Sequence, residues 1–127
     1  MAPVVVVGMT GWRAMFSPAE AAPTDPTAAS PLLDNLGSLH HPIATTSEQA
    51  QSYFDQGLRL VYAFNHEEAN RSFEAAAQQD AHAAMPYWGI ELALSPNINR
   101  PRETHAAQRA IRQGQKARRM ADRPPPE

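Results

Sequence analysis

Three of the histidines could supply ligands to a transition-metal ion. His40 and His41 are adjacent and precede a proline, and His82 lies three residues before Met85. Imidazole nitrogen and thioether sulfur suit copper or nickel, so these residues predict a small metal-binding module. The alternative is that adjacent histidines before a proline form a local turn.

His66 lies between two predicted helices and permits two interpretations. It could bind a metal ion together with His105, or its imidazole could bond to the backbone of a turn at residues 95–101, SPNINRP. It cannot share an ion with His82, because a helix of about 15 residues between them would be about 22 Å long. We favour a structural corner residue, since neither a cysteine nor a carboxylate is placed to complete a metal site.

Residue patterns typical of enzymes are not found. The chain has no cysteine, which excludes a thiol nucleophile, thiolate metal ligands and disulfide bonds. It has no glycine-rich phosphate loop, nucleophile elbow or HExxH pattern. Glu67 and Glu68 would point in different directions on a helix, where they stabilise its positive N-terminus. We therefore predict a protein that is not an enzyme and has no cofactor.

The folded part is predicted to be shorter than the chain of 127 residues, because seven of the twelve prolines lie before residue 28 or after residue 123. Residues 1–38 predict a disordered leader or a degenerate signal segment, residues 39–122 a helical domain, and residues 123–127 a proline-rich tail. No basic residue precedes the apolar run of the leader and Arg13 follows it closely, so a cytoplasmic location is favoured over export. No segment approaches the roughly 20 apolar residues of a spanning helix.

Two capping signals divide the domain into helices. Thr45 or Thr46, with a glutamate or glutamine three positions later, can form a capping box at a first helix. Asn65, with Glu68 three positions later, repeats the pattern for a second helix. A corner at Asn65 and His66 would then join two antiparallel helices. The expected packing residues of this hairpin are Tyr53, Gly57, Leu60, Ala69, Phe73 and Ala76.

The spacing of these packing residues resembles that of a tetratricopeptide repeat, a unit of 34 residues that forms a helical hairpin. Glycine and alanine let the two helices approach, while the larger residues fill the space around them. A second, weaker match begins at Tyr87 and Trp88, which we expect to pack in the same way, but Glu91 replaces a small residue. The last helix, at about residues 101–120, fits only if about four residues are inserted. Its small, large and small positions would then be Ala107, Ile111 and Gly114.

The resemblance extends to larger bacterial proteins built from many such repeats. It covers about residues 40–101, in the segments LHHPI, YFDQGL, FNHEEA, RSFEAA and YWGIELALSPNINRP. It implies an all-α fold of about four helices and a protein-protein interaction scaffold, with no activity to carry over. The chain is similar to only the first two units, which would leave one apolar face uncovered. It would then self-associate, bind a partner along its last helix, or be a fragment of a longer repeat protein.

Positive charge is concentrated in the predicted last helix. Eight of the eleven Lys and Arg residues lie in residues 100–123, although the net charge is −2. Such a face predicts an acidic protein or peptide partner, and its lack of aromatic residues argues against single-stranded nucleic acid. The predicted binding residues are Arg102, Arg109, Arg112, Lys116 and Arg119. Two functions stay open: an interaction scaffold, which we favour, and the metal-binding module at His40, His41 and His82.

Overall fold

The computed structural model describes residues 30–97 and 104–123, which form four α-helices without a β-strand. The helices are α1 (Glu48–Tyr62), α2 (His66–Gln79), α3 (Met85–Leu94) and α4 (Thr104–Ala121). The prediction of an all-α fold with about four helices is confirmed. Most of the predicted leader, the tail from residue 124 and Arg102 lie outside the described residues. None of the described helices has the length and apolarity needed to cross a membrane.

The first helix begins after Ser47, and the predicted capping box at Thr45 or Thr46 is wrong. The hydroxyl oxygen of Ser47 accepts a hydrogen bond from the N–H of Ala50 at 3.1 Å. Thr45 accepts a bond from the N–H of Ser47 and donates its own hydroxyl to Asp80. Thr45 therefore connects the start of α1 to the end of α2, and the two helices are antiparallel.

The corner between α1 and α2 confirms the second capping prediction, because the side chain of Asn65 accepts a hydrogen bond from the N–H of Glu68. The preceding residue, Phe64, has a φ of 60° and so lies in the left-handed region. The N–H of Phe64 bonds to Val61 and that of Asn65 bonds to Leu60, at 3.0 and 2.9 Å. These two bonds form a Schellman motif, in which glycine usually takes the position of Phe64.

Phe73 lies at the centre of the core. Its side chain is fully buried, and its ring centroid is 5.5 Å from that of Phe54. The ring also lies against the backbone of Gly57 in α1 and of Gly89 in α3, where a Cβ atom would collide with it. These contacts place α2 between α1 and α3, and α3 in turn packs against α4.

The second hairpin differs from the sequence-based register. Helix α3 has a proline in its first turn and is apolar on most of its surface, which suits a helix that packs against two neighbours. Helix α4 buries Ala110 and Ala117, whereas Ile111 is 56% exposed. The predicted register is therefore wrong at Ile111, where Ala110 is the buried residue instead. At Gly114 the contact with α3 is present, because this glycine lies against Glu91.

The chain before α1 packs along that helix. In this N-terminal segment (residues 30–43), the N–H of Leu33 donates to the side chain of Gln56 at 2.7 Å. The hydroxyl of Ser30, which is buried, donates to Glu68 at 2.6 Å. Further on, the side chain of Arg59 donates to the backbone carbonyl of Leu39. The packed region thus extends back to Ser30, so the expected boundary at residue 39 falls within a segment that contacts the helices.

Candidate functional site

The outer surface of the last hairpin contains an open groove. The groove lies between α3 and α4 and has a volume of about 510 Å³. Two large apolar side chains that line it are exposed to solvent, with exposed fractions of 39% for Trp88 and 56% for Ile111. Together these two side chains give the groove apolar surface that a partner could bury. Among the described residues, the N-terminal segment covers α1, whereas no segment covers this groove.

Small residues on α4 form the floor of the groove. Ala117 is buried, and the carboxylate of Glu91 lies against Gly114 where a Cβ atom would otherwise be. This contact explains how α3 accepts a glutamate at a position where the repeat pattern predicts a small residue. The glycine is on the neighbouring helix and leaves the space that the glutamate fills.

The cations of α4 fall into two groups. Arg109 forms an ion pair with Glu74 of α2, and the Nζ of Lys116 lies 3.8 Å from the ring centroid of Tyr87. These two predicted binding residues therefore contact the protein's own surface. The others, Arg112 and Arg119, are exposed and form no ion pair with a described residue.

Sequence reasoning missed Arg118, which lines the groove and also forms no ion pair with a described residue. It follows Gly114 by one helical turn and Ile111 by two, so the three residues share one side of α4. This spacing was present in the sequence. Whether residues at this spacing line a groove depends on which side of α4 faces α3, and the alanine-rich pattern does not determine that side.

The predicted packing residues are mostly buried. Tyr87 is buried, and its hydroxyl donates to the carbonyl oxygen of Ala81 at 3.2 Å. Its neighbour Trp88 differs from expectation, because it lies in the groove rather than in the core. Tyr53 is partly buried against the core. The remaining residues are buried: Gly57, Leu60, Ala69, Phe73 and Ala76.

The histidines at the start of the domain attach the N-terminal segment to α1. The Nδ1 atom of His40 is 2.6 Å from a carboxylate oxygen of Asp55, and the N–H of His41 donates to the other oxygen at 2.9 Å. The side chain of Asp55 is almost fully buried. Within residues 30–97 and 104–123, no group of three or more His, Asp or Glu side chains could hold a metal ion. His40 and His41 are therefore not assembled with His82 into such a group.

The predicted bond from the imidazole of His66 concerns a turn, residues 95–101, that lies mostly outside the described residues. The Nδ1 atom of His66 is buried and has no hydrogen-bond partner among the described residues. The side-chain oxygen of Asn70, one helical turn later, is also buried without a described partner. His105, the other residue considered for a shared metal ion, is exposed near the start of α4.

No protein-family model, curated protein or solved structure matches this chain. The function is therefore inferred from the groove, its exposed side chains and the charges beside it.

Proposed function

We propose that this protein is a protein-protein interaction scaffold of the tetratricopeptide-repeat type. The observation that carries this proposal is the open groove between α3 and α4, in which Trp88 and Ile111 are exposed. Burial of such side chains against a partner is favourable by about 25 cal/mol for each Å² of apolar surface removed from water. Tryptophan in particular is frequent among the residues that dominate binding energy.

The packing of the helices supports a repeat architecture. Phe73 of α2 lies between a glycine of α1 and a glycine of α3, so its ring packs the first hairpin against the second. Helical repeat proteins are built in this way, with each unit contacting its neighbours. A helix of a partner placed against α3 and α4 would occupy the position of a further unit.

Binding, rather than catalysis, is supported by the residues around the groove. Glu91 is the only carboxylate among its lining residues, which include neither a histidine nor a serine. A general acid and a general base, or a nucleophile with its base, would require at least two such groups within hydrogen-bond reach. The apolar side chains instead provide a surface for another protein.

The proposal is tested by comparing the wild-type protein with two aromatic variants. Trp88→Ala removes an exposed ring from the groove, and Tyr62→Ala removes one that is 73% exposed at the end of α1, outside the groove. Each protein is immobilised and exposed to an extract of the cells in which it occurs. Bound proteins are identified by mass spectrometry and tested again after purification.

We expect at least one protein to bind the wild type and Tyr62→Ala, and to be lost from Trp88→Ala. Circular dichroism must show the same helix content in all three proteins. If no purified protein binds the wild type, or if the two variants bind equally well, the groove is not the site of a scaffold.

A further inference from the structure

We propose that the groove between α3 and α4 binds an amphipathic helix that carries acidic residues along the flank facing Arg118. This inference rests on the proposed function and specifies the chemistry of the partner. Three observations carry it: the walls of the groove, the unpaired charge on α4, and the position of Glu91 on its floor.

The walls of the groove favour a helical partner. Both walls are helices, so beyond the first turn of α3 and the last turn of α4 their backbone N–H and C=O groups bond within each helix and are not offered to a bound segment. A segment that enters this apolar groove must therefore satisfy its own backbone groups, as a helix does. Its apolar side chains at helical spacing could contact Trp88 from α3 and Ile111 from α4.

The charges of α4 favour acidic residues on that helix. Arg118 lines the groove without an ion pair to a described residue, whereas the exposed Arg112 of the same helix lies outside the groove lining. An acidic flank would complement this surface. A second copy of the chain is disfavoured, because it would bring its own arginine-rich helix to the interface and like charges would repel.

Glu91 determines where the acidic residues belong. Its carboxylate lies against Gly114, one helical turn before Arg118. An acidic residue of the partner is therefore attracted at the level of Arg118 and repelled one turn away, at the level of Glu91. The groove thus selects the position of the acidic residues along the partner helix, in addition to its overall charge.

The test uses the full chain with Trp12→Phe, which leaves Trp88 as its only tryptophan. The probe is a synthetic amphipathic peptide of about 15 residues, or four helical turns, with leucines on one face and glutamates on one flank. A second peptide has lysine in place of each glutamate, and a third has the residues of the first in scrambled order. The fluorescence of Trp88 is measured as each peptide is added.

We expect the acidic amphipathic peptide to shift the emission of Trp88 to shorter wavelength with saturation at one peptide per chain. The lysine peptide and the scrambled peptide should bind at least about tenfold more weakly. Arg118→Glu should weaken binding of the acidic peptide by about tenfold or more, because it replaces attraction with repulsion. Glu91→Gln should leave binding unchanged or strengthen it.

Arg112→Glu is the matched control, because it makes the same charge change on the same helix at a residue outside the groove lining. It should weaken binding by less than about threefold. Equal losses in Arg112→Glu and Arg118→Glu would indicate general attraction to a basic helix and would overturn the inference. Equal binding of the acidic and lysine peptides would overturn it as well.

Two other occupants are tested with the same protein. Dimerisation in sedimentation velocity that Trp88→Ala abolishes would assign the groove to a second copy. A Trp88 shift with vesicles of phosphatidylserine and phosphatidylcholine, but not with the acidic peptide, would assign it to an anionic membrane. Either result overturns the inference. If the acidic peptide does not bind but a protein is still captured through the groove, the inference is wrong and the proposed scaffold function stands. If neither the peptide nor a protein binds, the scaffold function is wrong as well.

Discussion

The ring of Phe73 lies so close to the backbone of Gly57 that a Cβ atom there would be 2.5 Å from the Cε1 atom of the ring. Real Cβ atoms do not approach other atoms this closely, so the contact requires glycine at position 57. Because Phe73 is fully buried and contacts Gly89 on another helix, its ring has little room to move. The position of α2 between α1 and α3 therefore depends on residues without side chains.

Gly57→Ala should destabilise the fold, although alanine favours helix formation. We expect a loss of about 1–3 kcal/mol in the free energy of unfolding, which is typical of overpacking in a well-packed core. Urea unfolding followed by circular dichroism measures this loss. A variant as stable as the wild type would show that the ring of Phe73 can move away from α1.

Gly114→Ala provides the contrast, because here the added Cβ would meet the carboxylate of Glu91 rather than a buried ring. A carboxylate at the end of a flexible chain can turn aside, and alanine is about 1 kcal/mol more favourable than glycine within a helix. We expect Gly114→Ala to be as stable as the wild type or up to about 1 kcal/mol more stable. A loss as large as that of Gly57→Ala would show that Glu91 is held in place.

The first hairpin could be predicted from the sequence because its signals are large and local. Phe73 and its glycine partner Gly57 differ strongly in size, and Asn65 has a specific capping role. The second hairpin offered weaker signals, since alanine and glycine on α4 mark neither a core face nor an exposed face. The roles of Trp88 and Arg118 depend on which side of α4 meets α3, and this is a tertiary property.

The packing of the N-terminal segment against α1 could not be predicted from the sequence either. Gln56 and Asp55 are polar and buried, and both accept hydrogen bonds from the backbone of the N-terminal segment. Polar residues at such positions usually indicate a solvated face, and the composition of the chain before residue 39 favours a leader. Only the folded chain brings the backbone donors and these acceptors together.

Phe64→Gly should stabilise the protein. Phe64 has a φ of 60° and its side chain is 72% exposed, so it gives up few contacts when truncated. The left-handed conformation costs a residue with a Cβ atom about 1–2 kcal/mol, and glycine avoids this cost. We expect a gain of about 1 kcal/mol, which corresponds to a rise of about 4–8 °C in Tm for a domain of this size.

Tyr62→Gly is the control for this prediction, since Tyr62 is equally exposed but lies within the last turn of α1. Glycine there should destabilise the helix by up to about 1 kcal/mol. If Phe64→Gly lowers Tm as well, the exposed ring of Phe64 contributes more to stability than its backbone conformation removes.

Asp55→Ala should release the N-terminal segment from α1. The carboxylate accepts from the His40 ring, from the N–H of His41 and from the side chain of Gln51. Removal of this acceptor breaks these bonds to a buried carboxylate, and a hydrogen bond to a charged group contributes about 1.5–3 kcal/mol. Hydrogen exchange should become faster in residues 30–43 and stay unchanged in α3. Unchanged exchange in residues 30–43 would contradict this role for Asp55.

Histidine variants separate this structural role from metal binding. His40→Ala should also speed exchange in residues 30–43, whereas His82→Ala should not, because the exposed His82 uses its backbone N–H to bond to Asp80. We expect neither variant to change the uptake of copper or nickel measured by calorimetry. If the wild type instead takes up copper or nickel stoichiometrically and both variants abolish this uptake, the metal-binding module is the better interpretation.

The hydrogen bond between Thr45 and Asp80 should make stability depend on pH in the acid range. The Thr45 hydroxyl holds the pKa of Asp80 below its usual value of 3.8, and the backbone N–H groups of His82 and Ala83 lower it further, while partial burial opposes them. The pKa is therefore lower in the folded chain than in the unfolded chain, where it is about 3.9. The stabilisation is complete above the unfolded value and is lost as the pH falls through the folded value.

Thr45→Val removes the hydroxyl donor while keeping the shape of the side chain, so the pKa of Asp80 should rise toward its usual value. Thr46→Val is the matched control, because Thr46 is exposed and is not bonded to Asp80. Carboxyl carbon shifts of Asp80 measured by NMR between about pH 2 and pH 6 report each pKa, and urea unfolding over the same range reports stability. We expect Thr45→Val to have a higher pKa and a smaller acid-induced loss of stability than the wild type and Thr46→Val. If all three proteins titrate alike, the bond from Thr45 does not persist in solution, and some other contact must hold the end of α2 beside the start of α1.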